Sequence, residues 1–99
     1  MIVVPLGFMV VQLGMISATR RVTMELDKCQ VNELLRRHMI GDWGDIDEDD
    51  WERNEKALAE GSRVVSSYLV GDLRRYLIIT EADRSATTIL LPEEYRAKN

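Results

Sequence analysis

Residues 63–91 read RVVSSYLVGDLRRYLIITEADRSATTILL, and their pattern identifies the sheet of this protein. Three runs rich in β-branched and aromatic residues, 63–70, 73–80 and 86–91, are separated by Gly71-Asp72 and by the polar segment 81–85. A Gly-Asp pair between two such runs is typical of a tight hairpin, and the longer polar segment is typical of a wider turn. The sequence therefore predicts an antiparallel three-stranded meander.

Two helices are predicted before this meander, each from its capping residues. Asp27 and Gln30 have the spacing of a capping box at the start of a helix over residues 28–40. The apolar stripe of that helix consists of Val31, Leu34, Leu35 and His38. Asp47 is the expected N-cap of the second helix, which begins with three acidic residues and ends at Gly61. The inner face of this second helix is expected to carry Trp51, Asn54 and Leu58.

The N-terminal third is less regular. Residues 8–13 and 16–18 have strand-like runs, whereas residues 19–27 fit either a strand or a short helix capped by Thr19, with the helix preferred. The apolar opening lacks a preceding basic residue, contains Pro5 and is too short to span a bilayer, so we expect no membrane role. We expect residues 1–13 to be an edge strand or a segment appended to the fold.

These elements together predict one α+β domain over residues 1–99. Its sheet is expected to be small and antiparallel, built from the meander and one or more N-terminal strands, with two helices packed on one face. The formal net charge of −4 argues against direct nucleic-acid binding and is compatible with a basic protein partner. A single cysteine and a single histidine predict neither a metal site nor a cofactor.

The candidate binding residues lie in two polar stretches, 37–45 and 79–88, each at the end of a predicted element. We expect these stretches to converge on one surface that contacts a partner. The candidates are Arg37, His38, Asp42, Trp43, Asp45, Glu81, Asp83, Arg84, Ser85 and Thr87. Trp43 fits either a core residue or a binding anchor, and His38 fits a packed, hydrogen-bonded histidine better than a catalytic base.

An enzymatic alternative uses the same two stretches. In a small hydrolase or nuclease, His38 would act as a base together with Asp42, Glu81, Asp83 and Arg84, all within hydrogen-bond reach in a cleft. The simpler interpretation is structural. In it, Asp83 accepts backbone N–H groups in a turn, and Arg84 pairs with a neighbouring carboxylate.

Several motifs connect this chain to a family. They are Ala18-Thr19, residues 37–45, Asn54-Glu55, Arg63 with Ser66 and Tyr68, and residues 79–95. In these motifs the chain resembles small bacterial proteins carried on plasmids, integrative elements and prophages, which are often labelled "type I restriction subunit M" or "plasmid-related protein". The first label does not fit, because a methyltransferase needs a glycine-rich cofactor loop and an Asn/Asp-Pro-Pro-Tyr/Phe motif, and the prolines here are Pro5 and Pro92.

The resemblance implies a mobile genetic element in the bacterial cytoplasm. We therefore expect a non-enzymatic accessory protein that binds a protein partner, such as a host defence or nucleic-acid-handling complex that it would counter. Self-association as a homodimer stays open at this point.

Overall fold

The computed structural model describes residues 10–71 and 74–96. Its elements in chain order are β1 (Met15–Ala18), α1 (Arg20–Glu25), α2 (Lys28–Met39), α3 (Glu48–Glu60), β2 (Val64–Val70), β3 (Arg74–Thr80), β4 (Ala86–Leu90) and α4 (Pro92–Arg96). The α+β class and the C-terminal meander are confirmed. The short helix α4 was not anticipated, although Pro92 at its first position suits a helix start.

The four strands form one sheet in the order β1-β4-β3-β2. The meander strands pair antiparallel, with Tyr68 opposite Tyr76 and Ile78 opposite Ile89. β1 instead pairs parallel with β4, with Met15 opposite Ala86, so the sheet is mixed rather than wholly antiparallel. A parallel neighbour is compatible with this chain because three helices and two strands separate β1 from β4, which gives ample length for a crossover.

The N-terminal expectations are only partly met. Residues 10–13 are not a strand, because they run along the end of α2, where the N–H groups of Val10 and Val11 donate to the Met39 carbonyl at 2.8 and 3.2 Å. Residues 1–9, which the same expectation included, lie outside the described residues. Residues 20–25 adopt the preferred helix, and the Thr19 side chain accepts from the Val22 N–H as its cap.

Both predicted helix starts are confirmed by their hydrogen bonds. The Asp27 carboxylate accepts from the Gln30 N–H at 2.8 Å, and the Gln30 side chain accepts in turn from the Asp27 N–H at 2.9 Å. Asp47 accepts from the Asp50 N–H, and Gly61 ends α3 in the left-handed conformation. Trp51 does not belong to the inner face of α3, because its side chain is 37% exposed.

The core has two parts, at different places on the sheet. The larger part lies where α1 and α2 cover one sheet face, and its buried residues are Val22, Leu26, Leu34, Leu35, Tyr68, Tyr76, Ile78, Ile89 and Leu91. The smaller part lies where α3 meets the start of β2, and its buried residues are Val11, Trp43, Ala57 and Val64. Among the described residues, none of the helices has the length and apolar character to cross a membrane.

Candidate functional site

The two polar stretches meet inside the protein, through a buried chain of hydrogen bonds. His38 is 0% exposed, with its Nδ1 at 2.5 Å from the Ser66 hydroxyl and its Nε2 at 2.9 Å from the Thr80 hydroxyl. Thr80 continues to the Thr87 hydroxyl at 2.7 Å, and Thr87 donates to the Leu13 carbonyl at 2.7 Å. The expected convergence therefore occurs in the interior and not on a surface.

The end of this chain sets the donor and acceptor roles from Thr87 back to the Nε2 atom of His38. A carbonyl can only accept, so the Thr87 hydroxyl donates its one hydrogen to the Leu13 carbonyl. The Thr80 hydroxyl must then donate to the Thr87 oxygen. Thr80 therefore accepts from the Nε2–H of His38, and in the neutral ring the unprotonated Nδ1 accepts from the Ser66 hydroxyl. The neutral imidazole thus has one defined tautomer. Burial lowers its pKa to about 4, and the positive charge of Arg84 acts in the same direction.

Arg37 and Asp42 belong to the stretch RHMIGDWGD, residues 37–45, and they bind each other. Arg37 donates to the two Asp42 carboxylate oxygens at 2.7 and 3.3 Å, and its guanidinium lies 4.7 Å from the centre of the Tyr68 ring. Tyr68 in turn donates to the Asp42 carbonyl at 2.7 Å. This pairing lowers the pKa of the Asp42 carboxyl and keeps it engaged with Arg37 rather than with His38.

The loop 43–45 covers the outer edge of β2. The Ser67 N–H donates to the Trp43 carbonyl at 3.1 Å, and the Ser67 carbonyl accepts from the Asp45 N–H at 2.6 Å. The Asp45 carboxylate accepts from the Leu69 N–H at 2.8 Å. Of the two roles left open for Trp43, the structure selects the core, since the side chain is fully buried.

Asn54 completes the cover of β2, a role that sequence reasoning missed. Its side-chain amide donates to the Val65 carbonyl at 2.7 Å and accepts from the Val65 N–H at 3.1 Å. The neighbouring Glu55 accepts the Trp43 indole N–H at 2.7 Å, so the Asn-Glu pair ties α3 to both the strand and the loop. The available signal was an amide on the predicted inner face of a helix, where it must find a hydrogen-bond partner.

The turn 81–85 is also structural. Asp83 accepts from the N–H and the hydroxyl of Ser85 at 3.0 and 2.6 Å, as expected of a turn residue. The expectation that Arg84 pairs with a carboxylate is wrong. Its guanidinium donates instead to the carbonyls of Ser62 and Ala57 at 2.6 and 3.2 Å, and a cation there stabilises the C-terminal end of α3.

The candidate residues therefore differ in what they can contact. Asp45, Glu81, Asp83 and Ser85 are exposed, Arg37, Asp42 and Arg84 are partly buried, and His38, Trp43 and Thr87 are buried. The last three are corrected from surface to interior positions, because apolar and hydroxyl neighbours occupy their surroundings. The enzymatic alternative is not supported by this geometry, since both nitrogens of its proposed base are occupied by hydroxyl groups in the interior.

A broad concavity lies beside α3. It is an open groove of about 880 Å³ between α3, Tyr95 and the face of β2 and β3 that points away from α1 and α2. Its floor includes Val65 and Leu77, and its rim carries both acidic and basic side chains of α3. Within residues 10–71 and 74–96, no group of three or more His, Cys, Asp or Glu side chains is placed to hold a metal ion.

Comparisons of this chain with protein-family models, with curated proteins and with solved structures find no match. The chemistry of its own surface is therefore what indicates its function. The exposed side of α3 is the part of that surface best able to contact a partner. Most of the other polar residues singled out in the sequence are engaged in hydrogen bonds within the fold.

Proposed function

We propose that this protein is a non-enzymatic interaction module whose α3 surface binds a basic region of a partner protein. The observation that carries the proposal is how the signature side chains are used. The side chains of His38, Arg37, Asp42 and Arg84 are engaged in hydrogen bonds within the fold, whereas the outer side of α3 is exposed. Groups that already hold the fold together are poor candidates for chemistry on a substrate.

The charge distribution supports a basic partner. Eight of the seventeen acidic residues but only two of the thirteen basic residues fall within 45–60, a formal charge of −6 that leaves +2 for the rest of the chain. A concentrated negative field of this kind accelerates encounter with a positively charged surface and disfavours nucleic acid. Such a field is screened over about 8 Å at physiological salt, so binding should weaken as the ionic strength rises.

Trp51 gives this acidic surface an apolar anchor. Its side chain is 37% exposed, and Glu48 lies one helical turn before it, on the same side of α3. Exposed tryptophans surrounded by polar groups are frequent hot spots of protein interfaces, because they bury a large area at little entropic cost. We propose Trp51 as the centre of the contact and the carboxylates around it as the rim.

The setting we propose is the bacterial cytoplasm, in a cell that carries a mobile genetic element. This part depends on the resemblance to plasmid and prophage proteins. A host defence or nucleic-acid-handling complex would present the basic surface that α3 requires, because such complexes bind phosphate backbones. Occupying that surface would let the protein block the complex.

The test compares two double variants in affinity capture from host lysate at low salt. The variant E48Q/W51A removes one charge and one exposed apolar side chain from α3. The variant M24A/E33Q makes the same two kinds of change on α1 and α2, where both residues are exposed. We expect E48Q/W51A to lose at least about tenfold of the captured partner, equivalent to roughly 1.4 kcal/mol, and M24A/E33Q to capture as the wild type does. Equal capture by both variants, or no salt-sensitive partner at all, would contradict the proposal.

A further inference from the structure

The two edge strands of the sheet differ in whether their outward backbone N–H and C=O groups have hydrogen-bond partners among the described residues. On β2, the outward N–H and C=O groups of Val65 and Ser67 and the N–H of Leu69 all have partners from Asn54, Trp43 or Asp45. On the opposite edge, β1 pairs with β4 and with no other strand of the described residues. Proteins usually protect an edge strand with charges, bulges or a covering segment, because open edges pair with other strands.

β1 has no such protection among the described residues. Its four residues, Met15 to Ala18, are uncharged, with Met15 77% and Ile16 48% exposed. The N–H groups of Met15 and Thr19 donate to the Ser85 and Ile89 carbonyls of the β4 side. Because backbone groups alternate along a strand, the N–H and C=O groups of Ile16 and Ala18 point away from β4.

We infer that β1 is a self-association edge, on which a second copy of this chain adds its own β1 in antiparallel orientation. With Ser17 on the twofold axis, Ile16 of one copy lies opposite Ala18 of the other. Each such pair exchanges two hydrogen bonds, so all four outward groups of each copy find partners. The two four-strand sheets then form one continuous sheet of eight strands.

The sequence around β1 favours a second copy over an unrelated strand. In this register β1 of one copy lies beside β1 of the other, and all four strand residues are uncharged, so no like charges face each other across the axis. Ser17 lies opposite itself, and Met15 lies opposite Thr19, which is extended in this structure. Both strands of the proposed contact are β1, so the added strand is as long as the edge that it covers.

The first experiment measures association of the full chain by sedimentation equilibrium over a range of concentrations. Ile16→Lys places a charge on the open edge, and we expect it to weaken the dimer by at least about tenfold. Leu69→Lys is the matched control, because Leu69 is 45% exposed and lies on the covered edge. We expect this control to associate as the wild type does.

The second experiment tests the register and stays informative if Ile16→Lys fails to fold. Ser17 pairs with itself at a non-hydrogen-bonded position, where the two Cα atoms are about 4.5 Å apart, which suits a disulfide. In a Cys29→Ser background, Ser17→Cys should therefore form a covalent dimer under mild oxidation, whereas Ser62→Cys, exposed just after α3, should not. The inference would be overturned if the chain were monomeric at every concentration. It would also be overturned by a dimer that Leu69→Lys weakens and Ile16→Lys does not, or by cross-linking of Ser62→Cys in place of Ser17→Cys.

Discussion

Acidification should destabilise this protein through His38, beginning at a higher pH than the loss of stability that comes from its carboxyl groups. The imidazole is completely buried, its two nitrogens bind the neutral hydroxyl groups of Ser66 and Thr80, and burial disfavours a positive charge on the ring. The unfolded chain has a histidine pKa of about 6.5, and burial lowers the pKa in the folded protein to about 4. Between these values the unfolded state binds more protons than the folded state.

The sign and the size of the effect follow from this difference. Stability rises with pH wherever the unfolded state holds the extra proton, so it is complete above pH 6.5 and falls as the pH is lowered towards 4. At roughly 1.4 kcal/mol for each pH unit, the full loss is about 3 kcal/mol. Several carboxyls also have lowered pKa values, because arginine side chains or local hydrogen bonds stabilise the charged form. They act in the same direction, mainly below about pH 5, and they are Glu25, Glu33, Asp42, Asp83 and Glu93.

Two measurements check this prediction. Urea unfolding at pH 7 and pH 5 should show a loss of about 2 kcal/mol in the wild type and a much smaller loss in His38→Gln, which has no titrating ring. His38 is the only histidine of the chain, so its ring protons give an unambiguous NMR titration in the wild type, independent of how well the variant folds. A pKa near 6.5 in the folded protein, or equal stability at the two pH values, would refute the reasoning.

Two further predictions concern the cover of β2. Asn54→Ala leaves the N–H and C=O groups of Val65 without partners and should cost about 2–3 kcal/mol in urea unfolding, whereas a loss below about 1 kcal/mol would show that water replaces the amide. In Gly44→Ala the new Cβ would clash with the Ser67 carbonyl and the Tyr68 ring, and the φ of 84° is unfavourable for alanine. We expect this variant to lose more than about 2 kcal/mol of unfolding free energy. Gly71→Ala is its control, since Gly71 has a φ of 68° but open space around it, and equal losses in the two variants would contradict the steric argument.

Local signals in the sequence were sufficient for most of the secondary structure. Asp27 and Asp47 cap their helices as predicted, and the meander has its turns where Gly71 and the segment 81–85 indicate them. These features depend on residues within a few positions of one another, because a cap bonds the N–H three residues ahead and a hairpin is set by its turn. The ambiguity over residues 19–27 arose where short apolar spacing fits both periods.

The candidate site was harder to predict, because its residues had to be assigned to a surface or to the interior. The RHMIGDWGD stretch was correctly singled out, but two of its members, His38 and Trp43, are buried. Arg84 was expected to find a carboxylate and instead stabilises the end of α3 through backbone carbonyls. A polar motif has the same composition whether its partners are water, another protein or its own fold, so composition could not separate these cases.

The sequence alone determined where the helices begin, which runs become the meander and that the charge of the chain is concentrated in residues 45–60. Only the tertiary structure decided that β1 pairs with β4 in parallel and that Asn54 hydrogen-bonds the backbone at one edge of the sheet. It also decided that a chain of hydrogen bonds links His38 to Leu13. The first group depends on neighbours in the chain, whose geometry the backbone fixes locally. The second group depends on contacts between residues up to 74 positions apart, whose pairing is settled only when all buried polar groups must be satisfied together.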